Sequence, residues 1–301
     1  MKEVEVLIIG GSHAGLSAAM SLGRLRRTAL IVDSGNPRNK VSKHANNIAG
    51  LDGINPNELR SRSLRDLEKY NTIEFLKGSV SNLLKEGSKF IATLSDSTCI
   101  RARKVILSFG VKDKMPNISG LSEQWGKNVF HCPYCHGHEF QDREIGFIGN
   151  GQFAEHIVPM LFSLSPHITI FTMGPAEFSK DFKEKLEEKN ISVIEWPIDS
   201  LGIEGEFLKS IILNNGEEFE LDALFSGPIL PLELKSTLAD SLGCEKDEMG
   251  FIKVDKMGKT NVDGVFAAGD IVTMQHSVVR ATSTGQIAGS GVVAELVREN
   301  F

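Results

Sequence analysis

Positive charge is in short supply in this chain. Its 33 Lys and Arg face 39 Asp and Glu, giving a net charge of −6 and a pI near 5.8. A protein that holds nucleic acid through phosphate contacts needs the opposite balance, so no nucleic-acid partner is expected. Long apolar runs are missing too, and nothing approaches the roughly 20 residues that a membrane-crossing helix requires. The chain opens Met1-Lys2-Glu3 and enters the apolar run Val4 to Ile9 at once, with no basic stretch ahead of a long apolar core. That beginning predicts a cytoplasmic protein with no membrane contact. Cysteine is sparse: 4 in 301 residues do not make a disulfide scaffold, and the length gives room for two domains with full cores. Cys99 and Cys244 stand alone, whereas Cys132 and Cys135 form a C-x-x-C, which in a cytosolic chain points to redox chemistry or metal binding.

What is present is glycine in three signature loops. Val4 to Ile9 is a β-branched run that leads into Gly10-Gly11-Ser12-His13-Ala14-Gly15 and then a small-residue helical stretch, Leu16 to Leu25. Thr28 to Asp33 reads as the next strand, and its terminal acid lies 18 positions after Gly15, where a Rossmann unit places the group that binds ribose hydroxyls. An amphipathic helix is expected over 57–70, with strands around 74–80, 89–94 and 104–108. The same grammar returns at Ile145 to Ala154, where Gly149, Gly151 and Ala154 form a G-x-G-x-x-A loop, followed by a helix to about Leu164 and a strand His167 to Thr172. A strand-rich stretch spans about 191–227. A third signature, Gly264 to Asp270, precedes a small-residue helix over about 278–297. A glycine loop lets the backbone approach a pyrophosphate and aims a helix N-terminus at its charge. The first loop alone fits FAD or NAD. Gly269-Asp270 favours FAD, because a carboxylate there can meet a ribityl hydroxyl that NAD lacks.

The C-x-x-C admits several readings. Two thiols at this spacing can close a small disulfide ring, and nearby amides and cations favour the thiolate. With His136 the pattern also matches haem c attachment, but that chemistry belongs to exported proteins. A zinc site from Cys132, Cys135, His136 and His138 has suitable ligand types and no second Cys/His pair at finger spacing, so no metal is expected. A pair of buried apolar thiols is the plainest alternative.

The order GGSHAG, CPYCHG, GNGQFA, GVFAAGD resembles that of the low-molecular-weight thioredoxin reductases, over essentially the whole chain. The resemblance implies an α/β fold of two Rossmann-like dinucleotide-binding domains, the second inserted into the first. An FAD domain over 1–111 and 247–301 would flank an inserted pyridine-nucleotide-type domain over 112–246 that carries the C-x-x-C. By the same resemblance Gly10, Ser12, His13, Ala14 and Gly15 form the FAD pyrophosphate loop, Asp33 meets the adenosine ribose, and Arg38 and Asn47 approach the cofactor. Ser108-Phe109-Gly110 stands where the family has Ala-Thr-Gly. Gly269 and Asp270 hold the ribityl chain, and Val278 and Val279 begin the helix whose N-terminal dipole favours reduced flavin. Cys135 is implied as the flavin-facing thiol and Cys132 as the interchange thiol. His136, where bacterial reductases carry an aspartate, is assigned acid/base duty because imidazole titrates near neutrality. His131 and His138 are read as packing or surface residues. The family also implies a homodimer.

Two departures matter. The strand His167 to Phe171 is followed by Thr172-Met173-Gly174 rather than the His-Arg-Arg cluster that pairs with the NADPH 2′-phosphate. Charge-assisted bonds worth about 1.5–3 kcal/mol each are lost with it, which predicts weak NADPH binding. No carboxylate ends that strand for NADH either, Glu177 being a distant candidate, so NADP and NAD both stay open. With CPYCH, this resembles the side branches that hold gliotoxin- and holomycin-type dithiol oxidases and reductases lacking an NADPH site. The expected activity is FAD-dependent thiol–disulfide exchange, passing two electrons among flavin, the Cys132/Cys135 couple and a thioredoxin-like protein or a small-molecule dithiol or disulfide. The alternatives are an oxygen-dependent small-molecule dithiol oxidase and a flavin-containing redox sensor without turnover.

Overall fold

The computed structural model describes residues 1–227 and 233–301 and divides into two compact units. The first gathers Met1–Lys40, Asn55–Asp113 and Leu230–Phe301, and the second gathers Val41–Ile54 and Lys114–Ile229.

The first unit begins with β1 (Lys2–Ile9), α1 (His13–Arg24), β2 (Ala29–Asp33), α2 (Pro56–Leu67) and β3 (Ile73–Lys77). It continues through β4 (Val80–Glu86), β5 (Lys89–Leu94), β6 (Cys99–Leu107) and the short β7 (Val111–Lys112). β3, β2, β1 and β6 lie side by side and parallel. Such strands are covered on both faces, which is why β1 and β2 read as apolar runs rather than alternations. α2 starts where Asn55 accepts N–H bonds from Asn57 and Glu58 and Pro56 pre-sets the first turn.

The second unit holds α3 (Leu121–Gln124), β8 (Val129–Phe130), α4 (Pro133–His136), β9 (Ile145–Ile148), α5 (Gly151–Phe162), β10 (Ile168–Phe171) and α6 (Lys180–Glu188). β11 (Ser192–Ile194), β12 (Ile198–Glu204), β13 (Phe207–Leu213), β14 (Glu218–Glu220) and β15 (Ala223–Ser226) complete it. A parallel sheet runs β11-β10-β9-β15-β8, and β12, β13 and β14 form an antiparallel meander. Ile145 and Phe147 pack with α5 and α6 on one side, and Ile148 and Leu224 with the meander on the other.

The chain then returns to the first unit with β16 (Glu233–Leu234), α7 (Leu238–Ser241), β17 (Val265–Ala267) and α8 (Val278–Asn300). The first half of β6 pairs antiparallel with β5 and its second half parallel with β17. Val6 and Ile8 point into a core shared with α1 and α8, whereas Leu7 and Ile9 point into one shared with β4, β5 and α7. The buried Lys104 donates to Glu295 at 2.9 Å and so ties β6 to the end of α8.

The grouping of the chain differs from a simple insertion over 112–246. β16 pairs antiparallel with β7, Leu234 opposite Val111, which keeps the residues that follow β16 in the first unit. Residues 41–54 join the second unit, where Ala45 bridges to Ile54. Gly250 lies within the first unit. Among the described residues no helix is long and apolar enough to cross a membrane.

α1 and α8 meet backbone to backbone. A Cβ at Gly285 would lie 2.1 Å from the Ala14 carbonyl oxygen, and one at Gly289 would lie 2.6 Å from that of Ala18. Gly285→Ala is therefore expected to cost about 1–3 kcal/mol in a denaturant titration. An unchanged midpoint would show that the two helices can part without loss.

Candidate functional site

In the first unit the turn from β1 to α1 leaves no room for side chains. Gly10 adopts φ +108°, and a Cβ there would sit 2.3 Å from the Ser108 carbonyl oxygen. A Cβ at Gly15 would sit 1.9 Å from the Gly10 oxygen. Ser108 laces the ends of β1 and β6 together, its hydroxyl donating to Ile9 O at 3.1 Å and Gly10 O at 2.9 Å. Ser12 caps α1 without a side-chain bond, so its hydroxyl does not compete for the first amides of the helix. Asp33 ends β2 nearly buried, accepting from Gly11 N–H at 2.9 Å and Gly35 N–H at 3.1 Å. Arg60 of α2 donates from Nη2 to Asp33 at 2.6 Å and from Nε to Gly11 O at 3.0 Å. Asp33 Oδ1 accepts one bond and has a second lone pair for a ribose hydroxyl, whereas Oδ2 already accepts from Gly35 and Arg60. Bare backbone, a helix N-terminus and a fixed carboxylate suit the adenosine diphosphate half of FAD.

The third signature lies beside the same loop. Gly269 adopts φ +83°, a Cβ there would lie 3.0 Å from the Ala14 Cβ, and its N–H donates to Thr284 Oγ1 of α8 at 2.9 Å. Asp270 follows, its Oδ2 at 3.5 Å from Arg38 Nη1. Arg38 makes a two-pronged ion pair with Asp113, with its Nε 2.8 Å from Oδ2. Burial opposes the Arg38 charge, but Asp113 and Asp270 more than offset it and hold the proton more firmly than usual. Burial also pushes the His13 imidazole below its ordinary range, against the pull of Asp270. Val278 and Val279 open α8 behind Ser277, whose hydroxyl accepts the Arg280 N–H at 3.0 Å. Phe109 packs against the core at the end of β6, and Gly110 turns the chain with φ +77°.

The second unit carries the sulfur chemistry. Cys132 and Cys135 are joined in a disulfide, with Cα atoms 5.3 Å apart, at the start of the single-turn α4. Pro133 occupies the first helical position and is buried, while Tyr134 is 72% exposed. His136 stacks on Phe130 with centroids 4.3 Å apart, and its Nε2 lies 3.2 Å from Ser42 Oγ. Burial pushes its pKa below the ordinary range, Glu139 raises it and His44 lowers it. Asn46 Nδ2 donates to the Cys135 carbonyl at 2.8 Å and to Glu139 at 3.0 Å. Asn47 is exposed, with φ +59°, and its N–H donates to Asp52 at 2.5 Å. His131 stacks with Trp125 at 5.9 Å, and His138 is exposed and bonded to Gln141.

The second glycine loop is built differently from the first. Asn150 Oδ1 accepts from Gly151 N–H and Glu177 N–H, both at 2.9 Å, and its amide donates to Pro175 O at 2.9 Å. Glu155 accepts the Ser179 N–H at 2.6 Å. The loop after β10 is thereby tied to the first turns of α5. A Cβ at Gly149 would meet the Phe147 ring at 2.6 Å, and Ala154 is fully buried. Thr172, Met173 and Gly174 follow β10 without a cation, and Lys180, at the start of α6, pairs with Glu184. A loop without a guanidinium offers a 2′-phosphate no two-pronged ion pair.

Arg60, Asp113, His276, Ser42, Asn46 and Glu139 escape the motif reading. All sit outside the glycine and cysteine signatures, and only the fold brings them there. Asn46 had a signal in its neighbour: two adjacent asparagines give equal claims until the left-handed backbone of Asn47 separates them.

Known proteins resemble this chain over nearly its whole length. A family model for pyridine nucleotide-disulphide oxidoreductases matches residues 4–286. The thioredoxin reductase sirT of Leptosphaeria maculans is 34% identical over 96% of this chain and 93% of its own length. The thioredoxin reductase tcpT of Claviceps purpurea is 32% identical over 98% and 95%. An oxidoreductase structure from Agrobacterium tumefaciens is 36% identical, with a TM-score of 0.91 over 99% of both chains. The chain belongs to the pyridine nucleotide-disulphide oxidoreductase family, as an FAD-dependent disulfide oxidoreductase of the thioredoxin reductase type.

Proposed function

We propose that the first unit holds FAD and that the second carries a dithiol/disulfide couple which exchanges electrons with a small-molecule dithiol, independently of nicotinamide. The observation that carries the reading is the Cys132–Cys135 disulfide with His136 beside it, in a unit where Thr172, Met173 and Gly174 follow β10 without a cation. Gly10 to Gly15 and Asp33 serve the adenosine diphosphate, and Asp270 serves the ribityl chain. Bound FAD supplies a two-electron acceptor. One substrate thiolate attacks Cys132 and releases Cys135 as thiolate. The second substrate thiol gives its proton to His136 and displaces Cys132, so that the substrate leaves as a disulfide and the protein keeps two thiolates. Cys135 passes the electron pair on as the protein disulfide re-forms. His136 takes up the proton, since burial keeps it neutral and able to accept.

A thioredoxin-like protein disulfide reaching the same couple is the second reading, supported by the thioredoxin reductases among the relatives. It runs the exchange in reverse and needs a separate electron donor. With oxygen as final acceptor, the first reading is a dithiol oxidase. A homodimer in the cytoplasm is carried over from the thioredoxin reductase likeness.

Three outcomes are expected. Under anaerobic conditions a dithiol bleaches the visible flavin band of the oxidised holoprotein, whereas NADPH and NADH leave it unchanged. Rapid bleaching by NADPH would overturn nicotinamide independence. Cys132→Ser leaves the Cys135 thiolate and gives a long-wavelength charge-transfer band that Cys135→Ser lacks. A band in the Cys135 variant instead reverses the two roles. The acid limb of kcat/KM for dithiol oxidation lies below the ordinary histidine range, because activity is lost only when His136 takes a proton beforehand. Since Glu139 raises the proton affinity of His136, Glu139→Gln moves that limb to lower pH. A limb that stays in place removes His136 as the base.

A further inference from the structure

His276 lies between Asp270 and α8, in a stretch that belongs to none of the glycine signatures. Its Nε2 is 3.2 Å from the Asp270 backbone carbonyl, which only accepts, so Nε2 carries the hydrogen. Its Nδ1 is 2.8 Å from Arg38 Nη1, which only donates, so Nδ1 is bare. Both partners select the same neutral tautomer. The nitrogen of Arg38 that meets the imidazole is also the one nearest Asp270 Oδ2, at 3.5 Å. The other edge of the guanidinium is committed to Asp113. The ring is thus the neutral prop that turns Arg38 toward the carboxylate of the third signature.

We propose that His276 is a positioning residue of the flavin site, holding Arg38 against Asp270 through its Nδ1 lone pair, and that its protonation weakens FAD binding. The inference rests on the reading of Asp270 as the ribityl contact. A proton on Nδ1 would set N–H against N–H and a second cation against the guanidinium, so Arg38 would leave Asp270. Several groups face this ring. Asp270 and Asp113 favour the proton, Arg38 opposes it, and the Phe251 ring stands edge-on with centroids 6.0 Å apart. Burial is the largest influence and pushes the proton off. Lys235, bonded to Asn36 O at 2.7 Å, faces Arg38, and His13 faces Asp270 from α1.

The test is calorimetric titration of apoprotein with FAD in steps from neutral pH down through and below the ordinary histidine range, since burial makes His276 charge only below that range. Wild type is expected to lose about tenfold in affinity on acidification, equivalent to a shift of about one pKa unit. His276→Gln offers the same donor and acceptor without titrating, so it keeps the neutral-pH affinity and loses the acid effect. His276→Ala is about tenfold weaker at neutral pH, the scale of one hydrogen bond to a charged group. A His276→Gln protein with the wild-type acid loss, or a His276→Ala protein that binds as tightly as wild type, would overturn the proposal. If the alanine variant does not fold, the glutamine variant decides alone. Asp270→Asn reads the ribityl assignment separately: unchanged affinity there removes that assignment, while the His276 variants still report whether the ring supports the cofactor.

Discussion

The first unit depends on the contact between the α1 and α8 backbones. Gly285 and Gly289 lie against the carbonyls of Ala14 and Ala18 with no space for a methyl group. Because the two helices approach so closely, the β1–α1 loop and the Gly269-Asp270 turn become neighbours although they stand near opposite ends of the chain. The turn is locked from the same side, since Gly269 donates to Thr284 of α8. The geometry that would receive a dinucleotide thus comes from small residues in the cover of the sheet as much as from the glycine loop itself.

The second unit solves a different problem. A disulfide at a single helical turn has little local structure to hold it, and here the support arrives from residues 41–54. Asn46 fixes the Cys135 carbonyl, Ser42 meets His136, and Phe130 supplies the floor under the imidazole. The histidine is therefore oriented by a stretch far from it in sequence. Stacking and burial hold that imidazole toward its neutral form next to the couple.

Features governed by neighbouring residues could be read from the sequence directly. β1, its glycine turn, α1 and β2 follow from an apolar run, three small residues and an acid at the right offset. The second loop announced itself in the same way, and the helix expected over 278–297 extends as α8 to Asn300. Less legible was everything decided by tertiary pairing. β16 returns to β7 across a whole unit, which no periodicity signals. Arg60 looks like one more charge on an amphipathic helix until α2 lies against Asp33. The tie between Asn150 and the loop after β10 depends on backbone N–H groups, which sequence patterns do not mark.

The scarcity of indole has an optical consequence. Trp125 and Trp196 are the whole complement of the chain, and both belong to the second unit. Tryptophan emission overlaps flavin absorption, so with FAD bound as proposed, indole excitation from the unit with the disulfide would have the flavin as an acceptor. Trp125 also stacks on His131, the residue just before Cys132, and so sits next to the chemistry. Without any added label, quenching of the two native tryptophans would report the binding of FAD.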